Sequence, residues 1–135
     1  MIQKLLEELE NLVGSDDFES GSEKIIDQLQ EAGADEDIIP LLLQIMERHP
    51  LADFGMPGAM VHFMEAFDPE YEEYLIESLR RRPTVHTVWL LNRCINVHAH
   101  KERFLDLLRE TAKHPDAEPE VRRAALELLE YHAEA

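Results

Sequence analysis

The sequence predicts an all-α fold, and three observations support that prediction. Apolar residues recur at three- and four-residue spacing along most of the chain, which is the periodicity of an amphipathic helix. Glycine and proline fall between these stretches, where helices end and begin. No stretch alternates strictly between polar and apolar residues, as a half-buried strand does. The length of 135 residues fits a single all-helical domain over residues 1–135.

The first half of the chain contains four predicted helices and one long loop. The helices cover residues 2–13, 20–32, 37–49 and 59–67. Ser20 begins the second helix, because Glu23 three residues later completes a capping box. Residues 50–58 read PLADFGMPG and form an ordered loop, because apolar side chains such as Leu51 and Met56 favour burial.

The second half continues the pattern with helices over residues 69–82, 83–97, 101–114 and 118–133. Asp68 is expected to cap a helix whose first residue is Pro69, because proline favours the first helical position. Helix pairs begin near Glu36, Pro69 and Lys101, at spacings of 33 and 32 residues. We therefore expect about seven or eight helices in antiparallel pairs, stacked as a HEAT-like α-solenoid. A plain helical bundle is the alternative architecture.

The charge of the chain is strongly acidic and unevenly distributed. There are 29 acidic residues against 13 lysines and arginines, a net charge of −16, and residues 1–40 alone hold 12 acids against 2 bases. Such a surface repels nucleic acid and anionic membranes and attracts basic proteins. The alternative is that the acids only keep the protein soluble. The carboxylates expected to meet a basic partner are Asp16, Asp17, Glu19, Glu23 and Asp27.

The helix over 84–97, TVHTVWLLNRCINV, is apolar on several sides, which predicts a central position in the fold. Trp89, Asn92 and Asn96 form a narrow stripe along it, with His86 and Arg93 beside them. One interpretation is that these side chains tie neighbouring helices together, because buried amides need partners. The other is that the stripe meets a binding partner, since Trp and Arg are enriched at binding hot spots.

Two stretches carry a resemblance to a known family. They are DFGMPGAMVHFMEAF, residues 53–67, and RPTVHTVWLLNRCIN, residues 82–96. Together they resemble small all-helical, HEAT-like immunity proteins of bacterial polymorphic-toxin and contact-dependent inhibition systems. The resemblance extends over roughly residues 37–133 and leaves out the acidic N-terminal helical part, residues 1–36. The motif residues are Phe54, Gly55, Pro57, Gly58, His62 and Glu65, followed by Pro83, Thr84, Thr87, Trp89, Asn92, Arg93 and Asn96.

The resemblance implies an immunity protein that binds and neutralises a cognate toxin domain in a stoichiometric complex. The acidic surface favours a basic toxin, such as a nuclease. We expect Phe54, Trp89 and Arg93 to join the N-terminal carboxylates in contacting it. The motif residues expected to maintain the fold are Gly55, Pro57, Gly58, His62, Glu65, Asn92 and Asn96. The alternative function is a generic helical-repeat adaptor that binds some other protein.

Catalysis has little support in the sequence. There is no HExxH motif and no glycine-rich phosphate loop, and Cys94 has no evident base beside it. His98 and His100 are expected in a turn, and His62 is expected to pair with Glu65 within the short helix. We therefore expect no enzymatic activity, metal or cofactor. No apolar run can span a bilayer and the N-terminus lacks a signal-peptide pattern, so the expected location is the cytoplasm.

Overall fold

The computed structural model describes residues 1–97 and 101–134, and all regular structure in that part of the chain is helical. It contains eight α-helices and no strand, as predicted. The helices are α1 (Ile2–Asn11), α2 (Phe18–Glu31), α3 (Ile39–Arg48), α4 (Ala59–Glu65), α5 (Glu70–Arg81), α6 (Val85–Val97), α7 (Lys101–Ala112) and α8 (Pro119–Glu134). A single 3₁₀ turn, Glu36–Ile38, precedes α3.

The helices pack as stacked antiparallel neighbours. Contacts join α1 to α2, α5 to α6, α6 to α7 and α7 to α8. Next-but-one helices also touch, since α1 contacts α3, α2 contacts α4, α3 contacts α5, and α6 contacts α8. Helix α6 packs against α3, α5, α7 and α8. Its apolar residues on several sides therefore face other helices, as its sequence predicts.

One hydrophobic core connects these helices, from Leu5 in α1 to Ala125 in α8. The α6 residues Leu90 and Leu91 are fully buried at adjacent positions, which point about 100° apart around the helix, so more than one side of α6 is covered. Among the described helices, none is both long enough and apolar enough to cross a membrane.

Five helix starts differ from the prediction by one or two residues, since α3 begins at Ile39, α6 at Val85 and α8 at Pro119 instead of at residues 37, 83 and 118, and α2 and α5 also shift. Helix α2 begins at Phe18, so Ser20 lies inside the helix instead of capping it, and its Oγ donates to the carbonyl of Asp17 at 3.5 Å. The earlier start places the Phe18 ring in the core, and burial of that ring outweighs the local capping signal. Helix α5 begins at Glu70, with Pro69 as its flanking residue.

Candidate functional site

A cleft of about 600 Å³ lies between α2 and the loop that leads into α4, and we call it the acidic cleft. Its walls are residues 15–23 and residues 53–62, which are far apart in the sequence. They meet because α2 packs against α4 and because the rings of Phe18 and Phe54 touch edge to face, with centroids 5.8 Å apart. The lining residues are Ser15, Asp16, Phe18, Glu19, Ser22, Glu23, Asp53, Phe54, Gly55, Met56, Pro57, Gly58, Ala59 and His62.

Four carboxylates line the acidic cleft. Asp16, Glu19 and Glu23 come from the α2 side, and Asp53 comes from the loop. Glu19 and Glu23 are four residues apart in α2, so they share one face of the helix. Lysine and arginine are absent from the lining residues, all of which belong to the described part of the chain. The electrostatic potential in the acidic cleft therefore favours a cation.

Five acidic residues elsewhere in the described fold are paired, at 3.5 Å or less, with arginines that are distant in the sequence. The pairs are Glu10–Arg48 at 2.6 Å, Glu47–Arg81 at 2.8 Å, Glu65–Arg93 at 2.8 Å, Glu73–Arg103 at 2.9 Å and Glu118–Arg82 at 3.5 Å. Each of them joins two separate elements of the fold. Within residues 1–97 and 101–134, none of the ion pairs includes a carboxylate of the acidic cleft. The negative charge of the cleft is thus left uncompensated by the described residues.

The loop wall of the acidic cleft is held in a tight turn. Gly55 has φ +93°, and a Cβ atom there would lie 2.7 Å from the Cα of Gly58. A Cβ at Gly58 would in turn lie 2.9 Å from the carbonyl oxygen of Phe54. The Asp53 carboxylate accepts a hydrogen bond from the Gly55 N–H at 2.8 Å, which closes the turn. Both glycines are therefore required by the close approach of the backbone to itself.

Burial of the loop's apolar side chains was expected, and it is confirmed for Phe54 only. Phe54 is 1% exposed, so it supports the acidic cleft from the core side and offers almost no surface to a partner. Met56 is 45% exposed and lines the cleft, and Leu51 is 52% exposed and lies outside the core. The prediction of burial is wrong for these two residues. For Met56, the tight turn carries the side chain away from the core cluster that receives Phe54.

Four rings connect the acidic cleft to α6, and we call them the aromatic row. Phe18 contacts Phe54, Phe54 contacts His86 with centroids 5.5 Å apart, and His86 contacts Trp89 at 5.3 Å. The first two contacts are edge to face, which is a favourable arrangement for aromatic rings. The aromatic row joins α2, the loop and α6, so it fixes the loop wall of the cleft against the centre of the fold.

Beyond the aromatic row, Arg93 covers Trp89. Its guanidinium carbon lies 5.0 Å from the Trp89 ring centroid, and its Nε and one terminal nitrogen each donate to Glu65 at 2.8 Å. Glu65 therefore pairs with Arg93 across two helices, and the expected pairing with His62 is wrong. His62 is exposed and lines the acidic cleft instead. A guanidinium that can make two parallel bonds offers Glu65 a stronger partner than an imidazole.

His86 is the least expected member of the aromatic row. Its side chain has no exposed surface, and neither ring nitrogen has a hydrogen-bond partner in the described structure. Burial lowers the pKa of His86 to about 4, and the nearby charge of Asp53 opposes that shift only partly. The imidazole is therefore neutral at pH 7. Its position next to the Trp89 stripe was visible in the sequence, but its lack of polar partners was not.

The remaining predicted site residues lie outside the acidic cleft. Asp17 and Asp27 are exposed and do not line it. The Oδ1 atom of Asn92 accepts a hydrogen bond from Nε2 of His132 at 2.7 Å, which ties α6 to α8 as the packing interpretation expects. Asn96 is exposed on α6.

The described residues contain no group of three or more histidines, cysteines or acids able to hold a metal ion. Cys94 is buried, and burial raises the pKa of its thiol to about 12, so the thiolate that a nucleophile needs is not formed at neutral pH. His98 and His100 lie outside the described residues. The acidic cleft can attract a positively charged group, and the described residues around it supply no activated nucleophile.

Comparisons with protein-family models, with curated proteins and with solved structures give no match.

Proposed function

We propose that this protein is an immunity protein that neutralises a basic toxin domain by forming a stoichiometric complex with it. The observation that carries the proposal is the acidic cleft, whose four carboxylates have no arginine or lysine among the described lining residues. An uncompensated negative surface attracts a positively charged partner over distance. The resemblance of residues 53–67 and 82–96 to immunity proteins supplies the toxin as the class of partner.

The charges and the apolar residues have different roles in this proposal. Exposed carboxylates mainly accelerate the encounter with a basic partner, whereas buried contacts set the lifetime of the complex. Met56 is the exposed apolar residue of the acidic cleft and is the natural anchor there. Trp89 and Arg93 form a second partly exposed surface, but Arg93 is already engaged by Glu65.

Co-expression with the neighbouring open reading frame tests the proposed function. Rescue of growth from a toxic neighbour, together with a purified 1:1 complex, would support the immunity role. A harmless neighbour, or a toxic one that the protein neither binds nor inhibits, would contradict it and favour an adaptor that binds some other protein.

A matched pair of variants then tests the role of the charges. In the first variant, Asp16→Asn, Glu19→Gln and Glu23→Gln remove three carboxylates from the acidic cleft. In the second, Glu120→Gln, Glu127→Gln and Glu130→Gln remove three exposed carboxylates from α8. We expect the first variant to lower the association rate constant about tenfold at low salt and the second to change it little. Equal effects would show that only net charge matters.

A further inference from the structure

We propose that the acidic cleft binds an arginine-bearing segment of the partner, with the guanidinium held between the α2 wall and the loop wall. This inference rests on the proposed binding function, because it names the chemical group by which the partner is recognised. It depends on three properties of the acidic cleft, which are its volume, the placement of its carboxylates and its exposed apolar surface.

The volume of the acidic cleft exceeds what one ion needs. At about 600 Å³ it lies within the range of pockets that hold a small organic ligand. The cleft therefore has room for a complete side chain and the backbone next to it. A hydrated inorganic ion would leave most of this space to water, and the described residues offer no group of three ligands for a metal.

The carboxylates stand on both walls of the acidic cleft. Glu19 and Glu23 project from one face of α2, and Asp53 belongs to the opposite loop wall. One Asp53 oxygen, Oδ1, accepts the Gly55 N–H, and the described structure shows no hydrogen bond to the other. A guanidinium has five N–H donors in a planar fork and can bond to carboxylates on two sides at once. An ammonium is a more compact and more strongly hydrated charge, so carboxylates on two walls favour arginine over lysine.

The loop wall also offers apolar surface beside these charges. Met56 is 45% exposed and adjoins Pro57, and both line the acidic cleft. An arginine side chain has an aliphatic stem and a charged head, and it packs the stem on apolar surface while the head bonds to polar groups. The acidic cleft thus offers both an apolar surface for the stem and carboxylates for the head of an arginine side chain.

Titration with short peptides, followed by amide NMR shifts, tests the inference on the intact protein. The probe is acetyl-Gly-Arg-Gly-amide, with citrulline and lysine in place of arginine as controls. We expect saturable shifts at Gly55, Gly58 and Ser22 with the arginine peptide, weaker binding of the lysine peptide and no saturable binding of the citrulline peptide. In the double variant Glu19→Gln with Glu23→Gln, binding should weaken about fivefold, and in Glu127→Gln with Glu130→Gln it should not change.

Each contrary result has a distinct meaning. Equal binding of citrulline, or shifts spread over the whole acidic surface without saturation, would overturn the inference. Equal binding of lysine would overturn the selectivity for a guanidinium. If the arginine peptide fails to bind but the toxin complex forms, the inference falls and the proposed function stands. If the peptide binds and the neighbouring toxin does not, the arginine site stands and the immunity function falls.

Discussion

Stability at low pH should depend on His86, because the folded protein buries this ring without a polar partner. Burial lowers its pKa from 6.5 to about 4. Above pH 6.5 the ring is neutral in both the folded and the unfolded chain and adds no pH dependence. Between pH 6.5 and 4 the unfolded chain takes up a proton that the folded chain excludes, so the free energy of unfolding decreases as pH falls.

The size of this loss follows from the pKa difference. A difference of about 2.5 pH units at about 1.36 kcal/mol per unit gives a loss of about 3 kcal/mol by pH 4. Replacing His86 with leucine removes the titrating group. At pH 7 the buried imidazole without a hydrogen-bond partner destabilises the native protein by about 1–3 kcal/mol. Its ring contacts stabilise the native protein by about 0.5–1.5 kcal/mol. The substitution removes both effects. We therefore expect His86→Leu to be as stable as the native protein, or more stable, at neutral pH.

Urea unfolding of the native protein and of His86→Leu, measured from pH 7.5 down to pH 4, tests this prediction. The carboxylates titrate in both proteins, so their contribution cancels in the difference between the two curves. We expect that difference to grow by about 3 kcal/mol across the range. Parallel curves for the native protein and His86→Leu would refute the reasoning.

Three further predictions concern the loop, the Arg93 pair and the acidic cleft. Gly55→Ala should destabilise the protein by at least about 1 kcal/mol more than Gly33→Ala in urea unfolding, because both glycines have positive φ but only Gly55 meets backbone within 4 Å. Equal losses of stability in the two variants would mean that the loop backbone moves away from the added Cβ at position 55 without strain. Arg93→Met should cost about 1 kcal/mol or less, since the pair with Glu65 is partly exposed, and should alter the fluorescence of Trp89, the only tryptophan. Unchanged fluorescence would indicate that Arg93 does not cover Trp89 in solution. Glu19→Gln with Glu23→Gln should raise the melting temperature slightly at low salt and not at high salt, because it relieves repulsion. A lower melting temperature would show that these carboxylates stabilise the fold.

The fold was largely predictable because its signals are local. Helical spacing of apolar residues and the glycines and prolines between them located all eight helices of the described chain. The starts of α2, α3, α5, α6 and α8 were misplaced by one or two residues. The start of α2 is set by tertiary packing of Phe18, because a capping motif carries no information about the burial of a ring against other rings.

The candidate site was predictable only in its parts. The carboxylates of residues 16–23 and the loop of residues 53–58 both stand out in the sequence, but their contact depends on how α2 packs against α4. The pairing of Glu65 was mispredicted for a similar reason. His62 lies three residues away in sequence, whereas Arg93 approaches from another helix and makes the stronger contact.

Arginines of the described chain pair with acids that connect the helices and with none of the carboxylates in the acidic cleft. Arg81 bonds to Glu47 and Arg103 bonds to Glu73, so each arginine joins its own helix to an acid on another one. The α2 wall of the acidic cleft receives no such partner from the described chain. Its carboxylates repel one another and do not contribute ion pairs to folding, so their concentration at one cleft is a net cost to stability. A positive group supplied from outside the chain would remove that cost, and this is the physical reason to look for a basic partner at the acidic cleft.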